Sequence, residues 1–242
     1  MADAPGPDAS PPASEPAAAL TDAQKSLRAQ LLATEHWSLL ASRSTTQSEV
    51  LTRIAIFLTL VSAGLVTLGV LGNATEFRGW FGVAALGVLF LLVLLGVITQ
   101  LRVFNTATED LVYVLAMNRL RGAYLDLDPG LAPYFITGTS DDQAGAIKTY
   151  YAFADRNRTQ VPASSMMVML VVNTALVGLF VGALLYALTG SVGWAIAVGL
   201  VAAIAQFVVW MSWGYRQYRH VLRTHEPIRR SSDETPPTAA AR

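Results

Sequence analysis

The chain contains no cysteine, which excludes disulfides, thiol catalysis and cysteine-based metal sites. It also lacks charge over long distances. No Asp, Glu, Lys, Arg or His occurs between Arg158 and Arg216, and two further charge-free stretches run from Ile54 to Thr75 and from Gly79 to Leu101. Lys plus Arg (17) and Asp plus Glu (17) cancel, and the missing basic excess argues against nucleic acid as a partner. No phosphate loop of the form G-x-x-x-x-G-K-[ST], no H-E-x-x-H and no G-x-S-x-G is present. The first residues, MADAPGPDASPPASEPAAA, lack the basic start and apolar centre of a signal peptide, and positions 1–20 read as a disordered tail rich in Pro and Ala.

These gaps point to a membrane. A bilayer core about 30 Å thick needs about 20 consecutive apolar residues in helical form. A charge at mid-depth costs several kcal/mol, so long charge-free runs are what lipid selects. The longest gap holds two spans, because Leu188-Thr189-Gly190-Ser191-Val192-Gly193 breaks it with small, turn-forming residues. The expected fold is an all-α integral membrane protein with four transmembrane helices: Leu51 to Gly72, Trp80 to Gln100, Ser165 to Leu188 and Val192 to Trp213. They form two hairpins, over 51–100 and 164–214. A cytoplasmic helical layer is expected from a helix at 21–50 and a helical segment at 101–163, and 215–242 reads as a basic juxtamembrane segment that becomes disordered from Ser231 on.

Positive residues set the orientation, since short loops rich in Lys and Arg stay cytoplasmic. Arg43 and Arg53 precede the first span, Arg102, Arg119, Arg121 and Lys148 lie between the hairpins, and Arg216, Arg219, Arg223 and Arg229 follow the last. Only Arg78 falls in an outer loop. Both termini and the middle segment are therefore expected on the cytoplasmic side of the membrane.

Local signals fill in the layer. Thr21-Asp22-Ala23-Gln24 fits a capping box, and no Gly or Pro follows until Gly64, so one helix is expected to run into the first span. It carries a Leu20, Leu27, Leu31 stripe beside a second one of Leu32, Leu39 and Leu40. Phe104, Ala107, Leu111, Val114 and Leu115 extend the second span's helix up to Gly122. Ser140-Asp141-Asp142-Gln143 gives a second capping-box pattern, expected to open a helix through Tyr150, Tyr151 and Ala154 that stops before Pro162, with both aspartates in its first turn.

Candidate functional residues are few. Asn173 and Gln206, each about 12–14 Å inward from the cytoplasmic ends of their spans, are expected to pair as amides across the second hairpin, the alternative being that they line a pore or polar pocket. Gly178 and Gly182 form a GxxxG pattern facing a row of small residues, Ala195, Gly199 and Ala203, which points to close packing within the hairpin or between subunits. Trp210, Trp213, Tyr215 and Tyr218 read as an interface belt, and Arg216, Arg219 and Arg223 as a lipid-facing basic cluster. No catalytic set, metal site or cofactor is expected; Asp126 to Gly130 reads as a turn, and His36 as a helix-face histidine.

The segments EHWSLLASRS (35–44) and MNRLRGAYLDLDPGLAPYFITGTSDDQAG (117–145) resemble those of uncharacterised multi-pass membrane proteins of high-GC bacteria, a likeness that covers Leu31 to Tyr218. In architecture the chain is distantly similar to SLATT-type membrane effectors, in which cytoplasmic helices flank a short-looped hairpin and pore formation has been proposed, although here there are two hairpins. The expected function is a non-enzymatic scaffold, sensor or assembly subunit working through its cytoplasmic helices, and the alternative is a small oligomeric channel or transporter. The partners this leaves are the lipid bilayer, further copies of the chain and a cytoplasmic protein.

Overall fold

Thr21 opens the first helix by a reciprocal cap: its Oγ1 accepts from the Gln24 amide at 3.3 Å, and Gln24 Oε1 accepts from the Thr21 amide at 2.9 Å. In the computed structural model, which describes residues 20–153 and 164–231, helix α1 then runs unbroken over Asp22–Ala74. Helix α2 spans Phe81–Leu127, α3 Gln143–Tyr150, α4 Ser165–Thr189 and α5 Val192–Thr224, with a 3-10 turn at Pro129–Tyr134. All the regular structure among the described residues is helical. The expected tail at 1–20, apart from Leu20 itself, the helix continuing through Ala154 and the disorder beyond Ser231 lie outside the described residues.

Helices α1, α2, α4 and α5 are long and apolar enough to cross a membrane. At 1.5 Å per residue the 53 residues of α1 reach about 80 Å and the 47 of α2 about 70 Å, far more than a bilayer core needs. The surplus lies at one end. Residues 22–50 of α1, 101–127 of α2 and 214–224 of α5 build a polar layer there with α3, whereas the opposite end has only the turn at 75–80 and the link Gly190–Ser191. Gly190 adopts a left-handed conformation (φ 65°) and ends α4 by donating to Tyr186 O at 2.8 Å.

Helix α2 is the centre. It packs against α1 on one side and against α4 and α5 on the other. In the apolar slab Val50, Ile54, Phe57 and Val61 of α1 meet Leu89, Leu92 and Val103 of α2 and Met169 and Leu176 of α4. Lipid tails are as apolar as these side chains, so this contact gains dispersion and shape rather than hydrophobic transfer. A second core of Leu111, Val114, Leu115, Met117 and Ala146 sits in the polar layer. Burial from water stabilises there, at about 1.5–3 kcal/mol per large side chain.

Candidate functional site

The polar layer is held by carboxylates, each receiving several donors. Asp110 on α2 accepts from Arg43 Nε (2.6 Å) and Gln47 Nε2 (2.8 Å) of α1 and from the Tyr150 hydroxyl (2.8 Å) of α3, which ties three helices to one side chain. Burial and the neighbouring Asp110 charge push the Tyr150 phenol above its usual value, so it stays a donor. At the edge of the slab Arg102 bridges Glu49 of α1 (3.0 Å) and Glu109 (2.8 Å). Higher up, His36 of α1 stacks on Tyr124 of α2, and burial together with the Arg121 charge lowers its affinity for a proton.

Asp141 is fully buried and forms the densest node. Its carboxylate accepts from Arg119 Nε (2.7 Å) and from the amides of Arg229 (2.8 Å) and Ile228 (3.2 Å), while its own amide donates to Arg229 O (3.1 Å) and its carbonyl lies 2.8 Å from His225 Nε2. Burial alone would raise this carboxyl; the hydrogen bonds from Arg229, Arg119 and Ile228 outweigh it and hold Asp141 below the ordinary carboxylate range. Asp142 does two things. It caps α3 through the Gly145 amide (2.8 Å), and it accepts from the Ser231 amide (2.8 Å) and hydroxyl (2.7 Å). Arg229 reaches Gly122 O and Asp126, both at 2.9 Å, and a Cβ on Gly122 would stand 2.7 Å from Thr139 O and 3.0 Å from the Arg229 chain, so this close approach requires glycine.

The second capping box is therefore corrected. Asp142, not Ser140, is the N-cap, because Ser140 is spent on the tertiary contact: its carbonyl accepts from Asn118 Nδ2 at 3.1 Å and its hydroxyl lies 2.7 Å from that of Ser231. Asp141 precedes the helix and clasps the segment 225–231. Ser231, expected to begin a disordered tail, is bound in place.

The amide pair is also corrected. Asn173 is fully buried, but its Nδ2 donates to Gln100 Oε1 of α2, and no hydrogen bond joins it to the half-buried Gln206. Equal depth does not fix rotation. Asn173 and Gly178 are five residues apart, about 140° around the helix, so the α4 face that meets α5 turns Asn173 toward α2. In the sequence Gln100 reads only as the end of a span; its signal is Gly96 one turn before, where a Cβ would collide with the Asn173 carboxamide. Gln100 Nε2 and Asn173 Oδ1 have no partner among the described residues.

The small residues meet as expected, and within one hairpin. Gly178 lies against Gly199 O and Ala203 Cβ, and Gly182 against Ala195 O, in each case 3.0 Å from where a Cβ would stand. The aromatic belt divides. Trp210 and Trp213 turn inward onto Phe104 of α2, at 5.5 and 5.7 Å between ring centroids, and Tyr218 packs on the Leu111 core. Tyr215, Arg216, Arg219 and Arg223 face outward, with Arg219 over the Tyr215 ring at 5.6 Å. Helical spacing makes the split, since 210, 213, 214, 218 and 221 share one face and 215, 216, 219 and 223 the other.

Among the described residues no group of three His, Asp or Glu side chains is placed to hold a metal ion. Compared with models of protein families, with curated proteins and with solved structures, the chain matches none.

Proposed function

We propose that this chain is a non-enzymatic assembly or scaffold subunit of a bacterial plasma membrane, with its polar layer and both termini in the cytoplasm. The orientation rests on Lys and Arg, which concentrate in the polar layer and leave only Arg78 at the other end. The assembly role rests on α1. Its half-buried residues Leu32, His36, Leu39 and Arg43 face α2, while Leu27 and Leu31 lie away from that face at 58% and 64% exposed, and Leu20, 39% exposed, stands just before the Thr21 cap. A leucine stripe with no cover among the described residues favours a second copy of the same helix as its cover.

Two measurements test this reading. Leu27→Gln with Leu31→Gln should abolish chemical cross-linking between copies in detergent while helical circular dichroism holds, because both side chains are exposed among the described residues; unchanged cross-linking would overturn the role. Deleting 20–43 would be a poorer test, since it also removes the Arg43–Asp110 and His36–Tyr124 contacts. For orientation, Arg78→Cys and Thr189→Cys should react with an impermeant thiol reagent in intact cells, and Ser44→Cys and Tyr134→Cys only after lysis; the reverse pattern would invert the chain.

A second reading, a small oligomeric channel, is favoured by one observation: the unpartnered amide atoms of Gln100 and Asn173 inside the apolar slab. Unitary conductance of the purified chain that changes on Asn173→Leu would replace the assembly role with this one.

A further inference from the structure

A cavity of about 910 Å³ opens where α2, α3, α4 and α5 converge at the edge of the polar layer. Its sheltered wall is apolar, formed by Phe104, Met166, Met211 and Leu222, and its exposed wall carries Tyr215, Arg219 and Arg223. A second cavity of about 600 Å³ lies on the other side of the same two arginines and adds Arg216 and His220. The two walls differ in depth. Met211 and Phe104 belong to the level of Trp210 and Trp213, where the apolar run ends, and Arg219 and Arg223 follow about 12 and 18 Å further along α5, a distance that long arginine side chains span by reaching back toward a headgroup.

Charge identifies the occupant. Arg43 pairs with Asp110, Arg102 with Glu49 and Glu109, Arg119 with Asp141 and Arg229 with Asp126, while the half-buried Arg121 donates to Asn118 Oδ1 at 2.7 Å. Arg216, Arg219 and Arg223 have no carboxylate partner among the described residues, so one face of α5 presents uncompensated positive charge beside an apolar slot. We propose that this cavity binds one anionic phospholipid, its phosphate between Arg219 and Arg223 and its acyl chain along Phe104, Met166 and Met211. This goes beyond the assembly role and does not depend on it, because α1 contributes nothing to the cavity wall.

Native mass spectrometry of the purified full chain, titrated with phosphatidylglycerol or phosphatidylcholine, tests the site. One phosphatidylglycerol should be retained per chain, bound about 25-fold more tightly than phosphatidylcholine, the preference two arginines supply. Arg219→Gln with Arg223→Gln should weaken phosphatidylglycerol about fivefold per charge removed and leave phosphatidylcholine unchanged. Ala107→Phe narrows the cavity from an exposed position without altering charge, and it should lower retention of both lipids. Excess glycerol phosphate should not displace the lipid. Equal retention of the two lipids would overturn the site. So would full retention by Ala107→Phe, which would reduce it to attraction at a charged surface, or displacement by glycerol phosphate, which would make it an anion site without a lipid.

Discussion

Where α4 meets α5, backbone lies on backbone: a Cβ on Gly199 would stand 2.7 Å from Gly178 O and 3.3 Å from Gly182 Cα. Where α1 meets α2, the nearest equivalent is Gly64, which faces only the side-chain tips of Leu92 (2.9 Å) and Val88 (3.4 Å), and Gly69 and Gly87 face open space. The first contact has no atom that can move aside, and the second is made of rotatable side chains. Hairpin α4–α5 is thus the rigid unit of the slab, and α1–α2 the adjustable one that carries the long projecting helices. This suits the assembly role proposed for the far end of α1.

The largest predicted effect breaks or confirms that contrast. Gly199→Leu must push the α4 and α5 backbones apart and should cost about 3 kcal/mol or more in detergent unfolding, above the usual range for overpacked side chains because no rotamer relieves it. Gly87→Leu, with nothing within 4 Å, should stay within about 0.5 kcal/mol of the parent. Equal losses at the two positions would erase the difference between the hairpins.

Next comes the polar layer against the slab. Asp141→Asn leaves the Arg119 guanidinium and two amides with a weaker acceptor, and should cost about 2 kcal/mol, a buried-carboxylate loss reduced because Arg119 is 40% exposed and screened. A spin label at Glu226→Cys reads the clasp directly: immobile in the parent, mobile in Asp141→Asn. The same label gives the pH dependence. Asp141 and Asp142 are both held below their ordinary values, so their contribution is complete above the unfolded carboxyl pKa of about 4 and is lost as pH falls below it. The label should stay immobile from pH 8 down to about pH 5 and loosen only under stronger acid. Loosening already at pH 6, before either carboxylate takes up a proton, would overturn the assignment to Asp141 and Asp142.

How much of this could be read from the sequence follows the same division. The four spans were legible because lipid's rule is local: every run of about 20 residues is judged by its own charge content. The Thr21 cap was legible for the same reason, since both partners lie within three residues. The clasp was not. Asp141 and Arg229 are 88 residues apart, and the pattern at Ser140 to Gln143 satisfied a local cap equally well until a distant segment claimed the Ser140 hydroxyl. The small-residue rows announced close packing but left open whether it lay within the hairpin or between subunits; the structure places it within the hairpin, whose short link at Gly190–Ser191 makes α4 and α5 neighbours. Asn173 had two candidate neighbours, and depth alone could not choose between them.

The smallest predicted effect concerns that choice. If Asn173 turns toward α2, Asn173→Leu and Gln100→Leu should be coupled in a double-mutant cycle by about 0.6–1.7 kcal/mol, the range for interhelical hydrogen bonds in membranes. Asn173→Leu and Gln206→Leu should instead add within about 0.5 kcal/mol. Gly96 supplies an independent check, because a Cβ there would meet the Asn173 carboxamide and, at 3.0 Å, the Phe57 ring. Gly96→Ala should therefore destabilise the parent by displacing the amide, and do so less once Asn173→Ala has vacated the space. A cycle in which Asn173 couples to Gln206 and not to Gln100 would rotate α4 toward α5 and undo the packing described for both hairpins.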